Sequence, residues 1–445
     1  MAKQGVAGRR EKGVRSDCWV SVEIADAGGI QLGMTSKVDS MYGESIRQLC
    51  LDELAAFKVK HARVEIQDFG AVPFVIMARI EAAVKRAGVV VGEGCLPEIA
   101  EHCTYGTTRE RFRRSRLYLP GNEPRFFLNA GIHKPDGIIL DLEDAVAPTE
   151  KDAAQVLVRN ALRQVNFYGA ERMVRINQIP KGLDDLEYII PHNVHVVLIP
   201  KCESADQVRA VDEKIADVLS GVSPDSSSPP LAPPPRSRGG IGKAPLRSPG
   251  GNKRGGLSHP LLMPIIESAL GAIKSYEIAT AADSVVALAI GLEDYTADIG
   301  VQRTLEGKES FWMRGQVVNA ARAAGVQPID TVFSDVTDME GLRQSVLEAK
   351  TLGFDGKGCI HPRQIAVVHD AFAPSEAEIT KATKIVSAFE AAEARGLGVV
   401  SLGSKMIDPP VVKRALRTVK LAEDLGKLAG NWREVNKWHG LPARE

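Results

Sequence analysis

Two carboxylates stand at the ends of apolar runs: Glu267 closes "LLMPIIE" and Asp294 closes "VVALAIGLED". A carboxylate carried by buried backbone is costly unless something positive meets it. On neighbouring strands about 4.8 Å apart the two could converge on one cation. Two hard oxygen ligands, with room left for water and substrate oxygens, suit Mg²⁺ better than Zn²⁺. No His/Cys cluster in the chain competes with them. The alternative for Glu267 is an ion pair with a Lys or Arg of an adjacent strand. Arg175, in "MVRIN", brings a guanidinium that can hold a carboxylate through two parallel hydrogen bonds. Its alternative is to pair with Asp141, Glu143 or Asp144 in "LDLEDAV", and both can hold at once. Arg125, in "LPGNEPR", is available for an anion, and His361, in "CIHP", can reach the same place or be structural. Lys201, in "IPKCES", has acidic neighbours such as Glu203 that favour an ammonium over a Schiff-base amine.

These residues need strands to hold them. From Ser115 apolar runs alternate with helical patterns: 115–120, 137–143, 173–177, 195–201, 261–267, 285–294, 329–335 and 356–362. Eight such runs predict an α/β fold, a (β/α)₈ TIM barrel, with reactive groups at the C-terminal strand ends. Ahead of it, residues 18–88 read as a small α+β domain of order ββαβα, and 89–112 as a connector. Residues 1–17 are basic and polar and read as a disordered tail. A Pro/Ser/Gly-rich stretch at about 220–257 lacks apolar periodicity and reads as a disordered insertion between the fourth and fifth strands.

Composition narrows the function. With 445 residues, 44% hydrophobic and formal net charge +0, the chain suits two or three domains and gives no global electrostatic case for nucleic acid or an anionic membrane. No run approaches a membrane span, and six scattered cysteines without metal spacing read as reduced thiols. A cytoplasmic enzyme is expected.

The stretches "RSRLYLPGN", "GIILDLEDAV", "MVRIN", "LIPKCES", "PIIESALG", "GLEDYTADIG", "GFDGKGCIHPRQI" and "GVVSLGSKMIDPP", between about 113 and 421, resemble the citrate lyase β-subunit-like group of the HpcH/HpaI aldolase family. The resemblance implies a Mg²⁺-dependent barrel with Glu267 and Asp294 on the metal and Arg175 on the substrate, and it places Tyr118, Arg125, Ile360 and His361 at substrate contacts. It also implies a catalytic aspartate, here Asp408, supplied across a subunit interface. Read from the residues alone, Asp408 is a helix N-cap before Pro409. Residues 14–88 are similar to the citrate lyase γ-subunit, an acyl carrier protein, in "RSDCWVSVEI", "YGESIRQLCLDEL" and "DFGAVPFVIMARIEAA". That family carries a phosphoribosyl-dephospho-CoA arm on a serine; Ser16 is the candidate here, with a plain turn residue as the alternative.

The organisation expected is therefore a carrier domain (1–88), a connector (89–112), a lyase barrel (113–421) and a C-terminal extension (422–445). The expected reaction is cleavage of a citryl thioester to oxaloacetate and an acetyl thioester. A separate CoA/ACP-transferase α-subunit would be the partner, and a homotrimer or hexamer the assembly. A malyl-CoA or citramalyl-CoA lyase, with the N-terminal domain as an assembly module, is the alternative.

Overall fold

The computed structural model describes residues 3–90, 96–221, 259–394, 400–402 and 405–433. The insertion expected at about 220–257 lies outside the described residues from 222 on, as does the C-terminal extension from 434. Contacts divide the chain into two units, Met1–Asp338 with Glu348–Ile365, and Met339–Leu347 with Ala366–Glu445.

The first unit begins with β1 (Gln4–Gly8), β2 (Cys18–Ile24), β3 (Ile30–Ser36), α1 (Asp39–Ala56), β4 (Ala62–Asp68) and α2 (Pro73–Arg86). Their sheet runs β1-β2-β4-β3, antiparallel except for the β3–β4 pair. The strand β1 corrects the reading of residues 1–17 as a disordered tail. Its residues "QGVAG" carry little side-chain periodicity, and main-chain pairing along β2, from Gln4↔Glu23 to Gly8↔Trp19, makes the strand.

A closed parallel barrel follows, formed by β5 (Ser115–Pro120), β6 (Gly137–Asp141), β7 (Glu171–Arg175), β8 (Val196–Ile199), β9 (Leu261–Ile266), β10 (Ala287–Ile290), β11 (Gln327–Asp330) and β12 (Gly356–Cys359). The eight expected runs all appear, in order; the first has the expected bounds and the other seven end one to five residues earlier than expected. Helices α3 (Pro124–Phe127), α4 (Lys151–Gln164), α5 (Gly182–Ile189), α6 (Ala205–Ser220), α7 (Ala269–Ile273), α8 (Ser275–Ala279), α9 (Leu292–Asp298), α10 (Phe311–Ala324), α11 (Met339–Leu352) and α12 (Arg363–Phe372) alternate with the strands. Ile139, Met173, Leu198, Met263, Ala289 and Ile329 fill the barrel's interior.

The small sheet is tied to the barrel through α2. Every residue from Phe74 to Val84 on this helix is buried, including Arg79 and Glu81, because one face covers the sheet and the other meets α4. A helix apolar nearly all round needs cover on both sides. Most of the polar groups caught between are paired, although Arg79 Nη1 finds no partner among the described residues. Arg159 of α4 grips Glu81 at 3.0 and 2.5 Å, and Asn160 donates to the Phe74 carbonyl at 3.1 Å. Arg79 bonds Asp17 through Nε and Nη2, both at 2.9 Å, and donates from Nη2 to the Asn122 carbonyl of the β5–α3 loop at 3.0 Å.

In the second unit, α13 (Glu376–Glu393) and α14 (Pro409–Asp424) pack together, and a hairpin of β13 (Val400–Leu402) and β14 (Lys405–Ile407) leads into α14. Ile385, Val386, Ile407, Val412, Val419 and Trp432 form its core.

Candidate active site

The C-terminal mouth of the barrel holds a cavity of about 380 Å³ lined by Tyr118, Asp141, Arg175, Glu267, Asp294 and Ile360, among others. Glu267 stands one residue beyond β9 and is 5% exposed, so its carboxylate is delivered where water barely reaches. Among the described residues its hydrogen-bond partner is a main-chain amide: Lys201 N–H donates to Oε2 at 2.9 Å. Lys201 makes that bond from a left-handed backbone conformation, φ 46°, which a non-glycine residue rarely adopts. Oε1 faces Gly291, where an added Cβ would come within 2.5 Å of it. Burial pushes Glu267 up to about 7; Arg175 and the Lys201 amide pull it down, while Asp294 and Glu143 push it further up. The ion pair offered as the alternative for Glu267 is thus not what meets it. Asp294 lies in the first turn of α9, past the end of β10 rather than in it.

Arg175 closes β7 and is gripped from β6. Its Nε and Nη2 bond the two oxygens of Asp141 at 2.7 and 2.6 Å, and its Nη1 meets Glu143 at 3.0 Å. The guanidinium lies 5.5 Å from the centre of the Tyr118 ring. Burial works against this charge, but Asp141 foremost, with Tyr118 and Glu143, outweighs it and holds the Arg175 proton above its ordinary affinity. Of five N–H donors, three are committed to carboxylates and two remain for a ligand.

Lys201 Nζ lies 3.2 Å from Glu143, 3.5 Å from Asp144 and 3.5 Å from Asp294. Burial lowers its proton affinity, but Glu143 and then Asp144 and Asp294 raise it further, so the side chain is an ammonium and not a Schiff-base amine. The acidic neighbours that raise it are these three, contributed by the loop after β6 and by α9. Glu143 is raised by burial yet held down at about 2, by Arg175 first among the opposing causes. Carboxylates therefore outnumber cations here: Asp141, Glu143, Asp144, Glu267 and Asp294 stand around Arg175 and Lys201, and Glu293, Asp330 and Arg116 also line the cavity.

That surplus of negative charge, with Glu267 lacking a side-chain cation, fits a divalent ion. Among the described residues no three or more His, Cys, Asp or Glu side chains are grouped to hold a metal by themselves. Two protein carboxylates, with water and substrate oxygens completing the shell, is how Mg²⁺ is commonly held. The donor set fits Mg²⁺.

The remaining candidates are dispersed. Ile360 lines the cavity; His361 does not, and its Nδ1 accepts from Arg363 N–H at 3.1 Å. Arg125 is outside the lining, paired with Glu123 at 3.1 Å. Asp408 belongs to the second unit, where Val411 N–H donates to its Oδ1 at 3.1 Å, the N-cap its sequence predicts. Ser16 occupies a left-handed turn, φ 56°, before β2, with its amide on the Phe69 carbonyl at 3.2 Å. Arg116 was missed altogether. It lines the cavity from β5, and its one sequence signal is a charge at an inward position of an apolar strand, two residues before Tyr118.

Residues 114–362 match the HpcH/HpaI aldolase/citrate lyase family model, and residues 3–87 match the acyl-carrier model described as malonate decarboxylase delta subunit. Citrate lyase subunit beta of Leuconostoc mesenteroides subsp. cremoris is 37% identical over 315 residues, 70% of this chain and 94% of that protein. The mitochondrial citramalyl-CoA lyase of Homo sapiens is 29% identical over 329 residues, 70% of this chain and 86% of that one. The crystal structure of CitE from Mycobacterium tuberculosis, in complex with magnesium, acetoacetate and coenzyme A, superposes with a TM-score of 0.54 at 28% identity, covering 71% of this chain and 99% of that one. The chain belongs to the HpcH/HpaI aldolase/citrate lyase family, with an acyl-carrier-type domain at its N-terminal end.

Proposed function

We propose that this lyase cleaves a citryl thioester, carried on coenzyme A or on a carrier arm, to oxaloacetate and an acetyl thioester. The observation that carries the reading is the mouth itself: Glu267 and Asp294 share one cavity with Arg175, in a setting whose negative charge exceeds its positive charge. When bound, Mg²⁺ held by Glu267 and Asp294 supplies Lewis acidity to the substrate hydroxyl and its neighbouring carboxylate.

The C–C bond between the carbinol carbon and the adjacent methylene breaks as the hydroxyl loses its proton. Its electron pair passes to the thioester, which leaves as the enolate of the acetyl group. Arg175 holds that developing oxyanion through the two N–H groups left over from Asp141 and Glu143. Because Asp141 fixes its proton, Arg175 binds and orients but does not act as the base. Asp408 of a neighbouring copy delivers a proton to the enolate carbon, and Asp408 or bound water takes the hydroxyl proton. One proton leaves oxygen and one arrives at carbon, so the cleavage is proton-neutral. Tyr118 stacks beneath Arg175, Ile360 walls the cavity, and Arg125 and His361 contact the outer part of the thioester.

In this reading Ser16 carries a phosphoribosyl-dephospho-CoA arm, a separate α-subunit transfers citrate onto it, and the enzyme works in the cytoplasm as a trimer or hexamer. Among the described residues, no helix is long and apolar enough to cross a membrane. The test is a product assay with citryl-CoA, malyl-CoA and citramalyl-CoA in the presence of Mg²⁺, with Asp294→Ala as control. Oxaloacetate from citryl-CoA, abolished in the variant, is expected; glyoxylate or pyruvate as the main product would replace the substrate and keep the chemistry. The intact mass of the protein from its host, against Ser16→Ala, reports whether Ser16 is loaded.

A further inference from the structure

Beneath the acidic mouth the cavity ends on a positive charge that, among the described residues, has no carboxylate of its own. Arg116 is 1% exposed, in the barrel interior. Among the described residues its Nη1 reaches only the Met263 thioether, at 3.1 Å, and its Nη2 the main-chain carbonyl of Asp330, at 3.3 Å. Its Nε is buried with no hydrogen-bond partner. Three other buried cations of the barrel are neutralised by carboxylates, while Arg172 rests on main-chain carbonyls. Arg113 is paired with Glu171 at 2.7 Å, Lys357 with Asp330 at 2.7 Å, and Arg314 with Asp330 at 3.1 Å and Glu348 at 2.7 Å. With Lys357 and Arg314 both on Asp330, that carboxylate has little left to offer Arg116. A buried cation without a partner is costly and is rarely kept for packing alone.

The guanidinium also reaches the cavity that Glu267 lines: Arg116, Asp330 and Glu267 all border it, and the Arg116 fork rests on the Asp330 carbonyl at the end of β11. The register partners of Arg116 on both neighbouring strands are glycines, Gly137 and Gly358, and the space beside them is taken by Met173 and Val332.

We propose that Arg116 binds the second carboxylate of the substrate, the CH₂–COO⁻ arm, and so sets the pocket's preference for a diacid over a monoacid keto product. This deepens the citryl-thioester reading and rests on it. With the hydroxyl and its own carboxylate held at the mouth, the arm one methylene away points to the floor. Citramalyl and malyl thioesters have a methyl or a hydrogen there and would leave the guanidinium unmet. Met263 and the Asp330 carbonyl hold the fork in place but take no charge from it. A planar donor fork is suited to a carboxylate in a way a point charge is not.

Binding of the two keto acids tests this without turnover. Calorimetric titration of the full chain with Mg²⁺ should give oxaloacetate an affinity about 100-fold above that of pyruvate. Arg116→Met should remove most of that ratio by weakening oxaloacetate, with pyruvate held within about threefold, and Arg116→Lys should restore part of it. Unchanged pyruvate binding shows that the variant's pocket is intact. Equal affinities in the wild type overturn the proposal whatever the variants do, and so does an Arg116→Met protein that keeps the preference. Failure of the wild type to bind either keto acid overturns the citryl reading as well, which separates the two failures.

Discussion

Glu267 is held by geometry that a single methyl group would disturb. Its Oε1 rests where a Cβ at residue 291 would lie, 2.5 Å away, while Oε2 is fixed on the Lys201 amide. Gly291→Ala should therefore push the carboxylate off its position without opening the core. Turnover is expected to fall at least about 10-fold and the Mg²⁺ needed for half-activity to rise. The midpoint of urea unfolding should move little; an alanine variant with wild-type turnover and Mg²⁺ dependence would show that Glu267 does not need its place. The same residue scale sets what the sequence discloses. Glu267 and Asp294 are legible because a carboxylate closing an apolar run is out of keeping with its surroundings. Asp141 and Glu143 are legible only as partners for Arg175. Arg116 is not, because a charge inside a strand says nothing of whether a carboxylate waits on the other strands, and Asp330 is 214 residues away.

At the scale of elements, the base of the barrel is closed by histidines that cannot easily be charged. His195, just before β8, accepts the Arg172 amide on Nδ1 at 3.1 Å and bonds the Tyr105 carbonyl through Nε2 at 2.8 Å, the neutral Nε2–H form. Burial depresses it to about 4, and burial with Arg163 and Arg159 depresses His192 to about 3. Unfolded histidines titrate near 6.5, so below that pH the unfolded chain binds protons that the folded chain refuses. Stability is full above about pH 6.5 and falls as the pH drops toward 4, on the order of 1–3 kcal/mol per histidine. Urea midpoints at pH 7.5 and pH 5 should show this loss, and His195→Gln should reduce it; an unchanged pH slope would rule His195 out. The barrel strands could be read in advance because buried parallel strands tend to be apolar runs, as in Val196–Ile199 and Ala287–Ile290, and few other elements are. The strand β1 could not, since "QGVAG" owes its conformation to pairing with β2 and not to its own side chains.

For the whole molecule, two arrangements have consequences. If Asp408 acts on a neighbour's barrel, mixing an Asp408→Ala protein with an Asp294→Ala protein, each inactive, should restore about a quarter of wild-type activity per site on random assembly; no recovery would place Asp408 in its own site or outside the chemistry. The docking of the small sheet on the barrel is the other. Arg79 is 1% exposed and holds Asp17, itself 3% exposed, so Arg79→Ala would strand a buried carboxylate. A loss of about 3–5 kcal/mol is expected in urea unfolding, with Asp17→Asn/Arg79→Leu recovering much of it; a loss below about 1 kcal/mol would mean that water already reaches the pair.

Because Asp17 is locked through Arg79 to the Asn122 loop, at the same end of the barrel as the active site, the turn bearing Ser16 is a fixed pivot on the rim. An arm attached there would sweep a sphere of constant radius about that point, its reach set by its own length and not by any linker. The transferase that loads such an arm would have to bring its active site inside that sphere, so the pivot on this chain would dictate where the partner stands.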